Sequence, residues 1–383
     1  MIYVTVKQSP VFKQMSIEDL LFGDFDNKKF EFFSNGVSST KTYAVSYLSE
    51  RMSKNIGVDI DNLIDKLKAF NNNYADLMSM ERRELYSTFH IPKRSGGLRK
   101  IDNPCPELKN ALYVLKGIFE NDFHAMYHTS AFAYVKGRST VTAVKKHQAN
   151  ESNWFGKFDL TNFFGSTTID FTMKMLSMIY PFSSVIEKAE GEAELRKALD
   201  LAFLDGGLPQ GTPLSPMLTN IIMIPIDFEL NKEFRNLNGK KFVYTRYADD
   251  FHISSRTDFK VSEVEDAVIK VLEKYGAPFS LNRKKTRYGS SAGRNWILGT
   301  MLNSNNEITV GHKKKKQVQA MIHNYIRDKK SGIDWDKNDV QVLSGYISYI
   351  QMVEGDVANR IVEHMNQKND VDLFKMIKED IAK

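Results

Sequence analysis

Two adjacent aspartates, Asp249 and Asp250, lie between two runs of strand-forming residues, KFVYTR before and FHISS after. Valine, tyrosine, phenylalanine and isoleucine on both sides predict strands over 241–247 and 251–255, so Tyr247-Ala248-Asp249-Asp250 reads as the tip of a β-hairpin. Two carboxylates side by side repel each other. A fold keeps them together only if water solvates them or a cation sits between their oxygens. By average residue usage, a Tyr-x-Asp-Asp match arises by chance in roughly one chain of this size in twenty. The pair therefore needs company before it means anything.

Company comes from Asp159, in Phe158-Asp159-Leu160-Thr161-Asn162-Phe163-Phe164. An apolar strand is expected over 154–160, with the aspartate near its end and a turn into a helix after it. Two metal ions about 3.5–4 Å apart need carboxylates from at least two strands to bridge them. An aspartate at one strand end and a pair at an adjacent hairpin tip would supply them. One ion would lower the pKa of an attacking 3′-hydroxyl, and the other would hold a triphosphate and its leaving pyrophosphate. Magnesium suits such hard oxygen ligands. The plainer alternative is that Asp159 caps the next helix and the pair forms a polar turn.

Between these elements runs Gly206-Gly207-Leu208-Pro209-Gln210-Gly211-Thr212-Pro213-Leu214-Ser215-Pro216, followed by the helical run MLTNIIMIPI. Its glycines and prolines give a backbone that can approach a base pair closely, with a helix starting near Ser215. Gln210 offers donors and acceptors for a template or nucleotide edge.

The remaining chain bounds the answer. At 383 residues it suits two or three packed subdomains. The single cysteine, Cys105, excludes a disulfide framework and a multi-cysteine zinc site. No apolar run is long enough to cross a bilayer and MIYVTVKQSP lacks a signal-peptide layout, so no membrane partner and a cytoplasmic location are expected. A net charge of +6 permits a polyanionic partner without demanding one. Residues 1–85 hold helix-like stretches at 44–52 and 60–70. Ser95-Gly96-Gly97 reads as a hairpin turn. In KKKKQVQAMIHNYIRDKK, Val318, Met321, Ile322, Tyr325 and Ile326 fall on one helical face, framed by Lys313–Lys316 and by Arg327, Lys329 and Lys330. The apolar stripe reads as core, and the lysines as candidate phosphate contacts. A second helix is expected over 343–352.

Taken in order, these segments resemble the motifs of reverse transcriptases. FDLTNFF is similar to motif A, GLPQGTPLSP to motif B and YADD to motif C. HIPKRSGGLRKIDNP (90–104) and AFAYVKGRS (131–139) resemble the first two motifs of bacterial members. SLNRKKT (280–286) resembles motif D, WILGTML (296–302) the primer grip, and LSGYISYI (343–350) a thumb helix of the retron and group II intron types. The resemblance covers roughly residues 86–350. It implies an α+β right-hand polymerase: a helical N-terminal extension (1–85), fingers and an antiparallel palm (86–300) and a helical thumb (301–383).

The resemblance also implies roles. Asp159, Asp249 and Asp250 would hold two Mg2+ ions, Mn2+ being a substitute, with the Leu160 carbonyl as a further ligand. Phe164 would exclude a ribose 2′-hydroxyl and so favour dNTPs, which argues against RNA synthesis. Lys93 and Arg99 would grip the triphosphate, and Gln210 would touch the nucleotide. Lys285, with Lys284 adjacent, would be the proton donor to pyrophosphate. The expected activity is RNA-directed DNA synthesis with an RNA template and a DNA product.

Two departures bear on subtype. Retron enzymes carry Asn-Ala-x-x-His before motif A, whereas here Thr142-Ala143 is followed by His147, one residue too far. Their thumb Val-Thr-Gly is absent, Ile308-Thr309-Val310-Gly311 standing nearest to it. Motif B leans towards group II intron enzymes and other bacterial lineages. The implied subtype is a compact, defence-associated (anti-phage) enzyme, working with a structured noncoding RNA, a homo-oligomeric partner or a partner protein. Two alternatives stay open: template-independent or protein-primed DNA synthesis on the same site, and a non-catalytic RNA-binding scaffold.

Overall fold

The computed structural model describes residues 3–7, 12–16, 58–93, 96–123, 127–293 and 296–382. Strands β1 (Tyr3–Lys7) and β2 (Phe12–Ser16) pair antiparallel, adding strand where the sequence signalled only helix. The helix Ile60–Asn73 starts at an Asp59 cap, whose carboxylate accepts from Asn62 N at 3.1 Å. The helix expected over 44–52 lies outside the described residues.

Strands β3 (Tyr86–Pro92) and β4 (Leu98–Pro104) form an antiparallel hairpin from Tyr86↔Pro104 to Pro92↔Leu98. Lys93 N donates to Gly97 O at 2.9 Å, closing the expected turn; Ser95 lies outside the described residues. Most of the hairpin is exposed. Beneath it the helix Pro106–Phe123 contributes Leu108, Leu112, Leu115 and Phe119 to a core. Leu63, Ile64, Leu67 and Phe70 of Ile60–Asn73 enter the same core, as do Leu195 and Leu199. That helix is thus built into the fingers packing.

The palm is an antiparallel sheet whose alternation follows from side chains pointing to opposite faces. Its strands are β5 (Trp154–Thr161), β6 (Phe242–Tyr247), β7 (Asp250–Ser255) and β8 (Ser280–Leu281), in the order β6-β7-β5-β8, with β9 (Arg287–Ser290) also on β5. Phe158 and Leu160 of β5, and Phe251 and Ile253 of β7, enter one buried cluster. Their alternates, Lys157 and Asp159 with Asp250 and His252, point the other way. The helix Val261–Tyr275 buries Val264, Ala267, Val268, Val271 and Leu272, a one-face spacing, against the apolar side.

A small sheet follows, β10 (Trp296–Ile297), β11 (Thr300–Leu302) and β12 (Ile308–Thr309). Four helices then close the chain: His312–Lys330, Lys337–Val353, Gly355–Asn369 and Leu373–Ala382. Val318, Ile322, Tyr325 and Ile326 meet Leu343, Ile347 and Ile350 in their core, with Met321 packed at its edge. The α+β architecture with an antiparallel palm and a helical thumb is the one the sequence implies. No helix among the described residues is long and apolar enough to cross a membrane.

Candidate active site

The register of the palm decides which carboxylates meet. Asp159 on β5 is the cross-strand partner of Asp250 on β7, and Leu160 N donates to Asp249 O at 3.1 Å. Tyr247 pairs with Asp250 across the hairpin, leaving Ala248 and Asp249 as its two-residue tip. Asp159 makes no helix cap: the next helix, Phe163–Ser166, begins at Asn162, whose own side chain caps nothing. Asp159 instead receives Lys285 Nζ on both oxygens at 3.0 Å. Lys285 stands on a single 3-10 turn after β8. Lys157 Nζ reaches Asp250 Oδ2 at 2.7 Å.

Burial, and then the charge of Asp250, push the Asp249 carboxyl up to about 6. Asp250 is also raised, mainly by burial, with Lys157 pulling it back and Asp159 pushing it further up. Carboxylates that resist ionising together are held back by burial and by mutual negative-charge repulsion, which a cation between them would offset. The donor set, three aspartates with hard oxygens, fits a divalent ion of the magnesium kind. As they stand, no three His, Cys, Asp or Glu side chains among the described residues are gathered closely enough to hold an ion. The Lys285 and Lys157 ammonium groups lie against Asp159 and Asp250 instead.

Beneath the hairpin lies a network that sequence reasoning missed. Arg246 and Asp227 are both fully buried, and the guanidinium grips the carboxylate through Nε at 2.9 Å and Nη2 at 2.8 Å. Arg246 Nη1 donates to Asn220 Oδ1 at 3.1 Å and to Ala248 O at 3.2 Å. Asn220 Nδ2 donates to Ala133 O at 2.7 Å, and Tyr244 OH to Asp227 Oδ1 at 2.7 Å. The signal was available: Arg246 shares the strand parity of Tyr244, a core residue, and a charge on a core face demands a buried partner.

The other candidates sit around this centre. Phe163 is in the core, while Phe164 is half-buried at the seam of two core clusters, edge-on to Phe163 with centroids 5.6 Å apart. Phe164 O accepts from Leu208 N at 3.0 Å. This loop runs so close that a Cβ on Gly207 would lie 2.1 Å from Gly165 O, which only glycine avoids. Gln210 O accepts from Asp102 N at 2.9 Å, tying the loop to β4. Lys93 and Arg99 are exposed on the β3–β4 hairpin. Tyr134, absent from the sequence candidates, is more than half exposed and left-handed at φ 59; what burial its ring does have, and then Asp249, raise its pKa, with Arg99 opposing. Lys284, adjacent to Lys285, is exposed.

The family model described as "Reverse transcriptase (RNA-dependent DNA polymerase)" matches residues 91–335. The chain is similar to the Retron Ec73 reverse transcriptase of Escherichia coli, 27% identical over 303 residues, covering 77% of this chain and 91% of that protein. It is likewise similar to the Retron Ec83 reverse transcriptase of Escherichia coli, 26% identical, covering 76% and 89%. The Retron Mx162 reverse transcriptase of Myxococcus xanthus is 30% identical over 293 residues, covering 70% of this chain and 58% of that protein. The two departures from the retron pattern therefore do not set the chain apart from retron enzymes. With the family model spanning more than half of its length, the chain belongs to the reverse transcriptase family and is an RNA-directed DNA polymerase of the retron type.

Proposed function

We propose that the chain extends a 3′-hydroxyl with dNTPs on an RNA template by two-metal catalysis, centred on Asp159, Asp249 and Asp250. The observation that supports it most is the cross-strand pairing of Asp159 with Asp250, beside the half-buried, hard-to-ionise Asp249. Two bound Mg2+ ions, or Mn2+ in their place, would supply activation of the 3′-hydroxyl and charge stabilisation on the leaving pyrophosphate. The three aspartates would hold them. Lys285, already on Asp159, would be freed by metal entry and then stand where a proton can pass to pyrophosphate. Lys93 and Arg99 on the exposed hairpin would draw the triphosphate in, arginine by its two-pronged donors. Phe164 would close the space of a 2′-hydroxyl, and Gln210 would touch the nucleotide or template edge.

The natural template in this reading is a structured noncoding RNA made alongside the protein, and the cDNA serves antiviral defence. The resemblance to compact bacterial enzymes, together with similarity to retron reverse transcriptases, supports it. The test offers purified protein dNTPs or NTPs with Mg2+ and a primed RNA template, beside Asp249→Asn with Asp250→Asn. The expected result is dNTP incorporation by the parent, at least a thousandfold loss in the double variant and RNA binding within a few-fold in both. Incorporation of NTPs alone, or a fully active double variant, would sink the reading. Sequencing the copurifying nucleic acid then identifies template, primer and product together. Phage protection that survives the double variant would sink the defence role of the product.

A further inference from the structure

We infer that Arg246, together with Asn220, is a positioning device for the catalytic turn: its guanidinium holds the Ala248 carbonyl and so aims Asp249. This rests on the reading of Asp249 as a metal-holding residue. A buried ion pair satisfied only by itself would need the Arg246–Asp227 contact and nothing more. Here the third guanidinium nitrogen is turned away from Asp227, to Asn220 Oδ1 and to Ala248 O. Ala248 is not glycine, yet it holds φ 56, a left-handed conformation that its Cβ disfavours. The bond to its carbonyl is one that the strained turn would lose on relaxing. Strain of this kind persists where the surroundings over-determine it.

The backbone of Arg246 is fixed as firmly as its side chain. Its N–H donates to Ser130 O at 2.6 Å, and its carbonyl accepts from Phe132 N at 2.8 Å. Asn220 then reaches the same neighbouring segment through Ala133 O, next to Tyr134, whose ring lies in the electrostatic field of Asp249. One buried cluster thus fixes the hairpin tip from below and the segment beside it. A buried ion pair is weak evidence for stability, because desolvation offsets much of its attraction. Directional bonds to the turn point to aim instead. Arginine suits this because its planar fork offers donors in several fixed directions at once, which lysine does not.

The experiment compares Arg246→Lys, Asn220→Ala, Tyr244→Phe and Asp249→Asn in the full chain. Tyr244 is the control, since its hydroxyl bonds Asp227 and not the turn. Four quantities are read: kcat and KM for a dNTP on primed RNA, Mn2+ binding by calorimetry without nucleotide, and the thermal midpoint. Arg246→Lys should lower kcat at least tenfold, and Asn220→Ala at least threefold, with KM within twofold. Both should weaken Mn2+ binding at least threefold. Tyr244→Phe should lower the thermal midpoint while leaving kcat and Mn2+ binding within twofold. Should Arg246→Lys fail to fold, Asn220→Ala decides, because it leaves the ion pair in place. The inference is overturned if Asn220→Ala keeps kcat and Mn2+ binding within twofold, or if Tyr244→Phe loses both as the others do. An active Asp249→Asn enzyme would instead remove the metal-site reading underneath; an inactive one beside a normal Asn220→Ala removes only the positioning role.

Discussion

At the scale of single residues, Phe163 and Phe164 differ by one step along the chain and by burial, and the proposed sugar selectivity of Phe164 rests on that difference. Phe163 is buried among Phe171, Phe279 and their neighbours, whereas Phe164 keeps one side open at a seam between clusters. Replacing Phe164 by Val should therefore admit ribonucleotides without unfolding the palm. A tenfold or greater fall in the ratio of kcat/KM for dCTP over CTP is expected, about 1.4 kcal/mol of discrimination. An unchanged ratio would mean that another side chain guards the sugar. The two lysines also belong to this scale. Lys285 was legible as a motif D lysine, but its alternative, Lys284, differs by one position, and sequence spacing could not choose between them. On the 3-10 turn both lysines are exposed, but Lys285 Nζ bonds Asp159, which favours Lys285 for the proposed role.

Among the elements, the helix Thr140–Ala149 explains why a histidine with an offset spacing still serves the palm. Ser139 and Thr142 form a reciprocal cap that fixes its start. His147 near its end sits between Ser254 Oγ at 2.6 Å and Thr245 Oγ1 at 2.8 Å, clamping the helix across β7 and β6. Burial drives His147 down to about 3 and His128 to about 4, and holds His252 well below its ordinary value. The unfolded chain binds protons at these positions near pH 6.5, and the folded chain does not. Stability should thus be full above pH 6.5 and fall as pH drops from there towards 4. The slope can reach about 1.4 kcal/mol per pH unit for each histidine. Urea unfolding at pH 7.5, 6.5, 5.5 and 4.5 checks this; a flat profile down to pH 5 would contradict it. Tertiary contact sets all three shifts, so composition alone reveals none of them.

For the whole molecule, Glu354 joins the thumb to the sheet before it. Its carboxylate accepts from Thr309 Oγ1 at 3.0 Å, Val310 N at 2.8 Å and Lys315 Nζ at 2.6 Å, at the junction of Lys337–Val353 and Gly355–Asn369. Removing it in Glu354→Ala leaves a buried N–H and an ammonium without their acceptor, a loss of about 1–3 kcal/mol for the interaction. A looser thumb should halve product length, or worse, under single-encounter conditions, while single-nucleotide insertion stays within twofold. Equal lengths would show that the joint does not hold the thumb on its duplex.

Local rules made much of this molecule readable from its chain of residues. Alternation set Lys157 and Asp159 on one face of β5 and Phe158 and Leu160 on the other. Strand formers around Ala248 and Asp249 marked a hairpin, and the 318–326 stripe marked a core helix. Those signals work because propensity and side-chain period act over a few residues. What pairs with what lay beyond them. Lys285 meets Asp159 across 126 positions in the chain, and Asp159 faces Asp250 only because β5 and β7 adopt one register out of several. Asp227 finds Arg246 only once the helix Ile224–Asn236 packs behind β6. Such pairings are settled by the packing of the core as a whole, in which a one-residue slip would turn each strand's carboxylates inward.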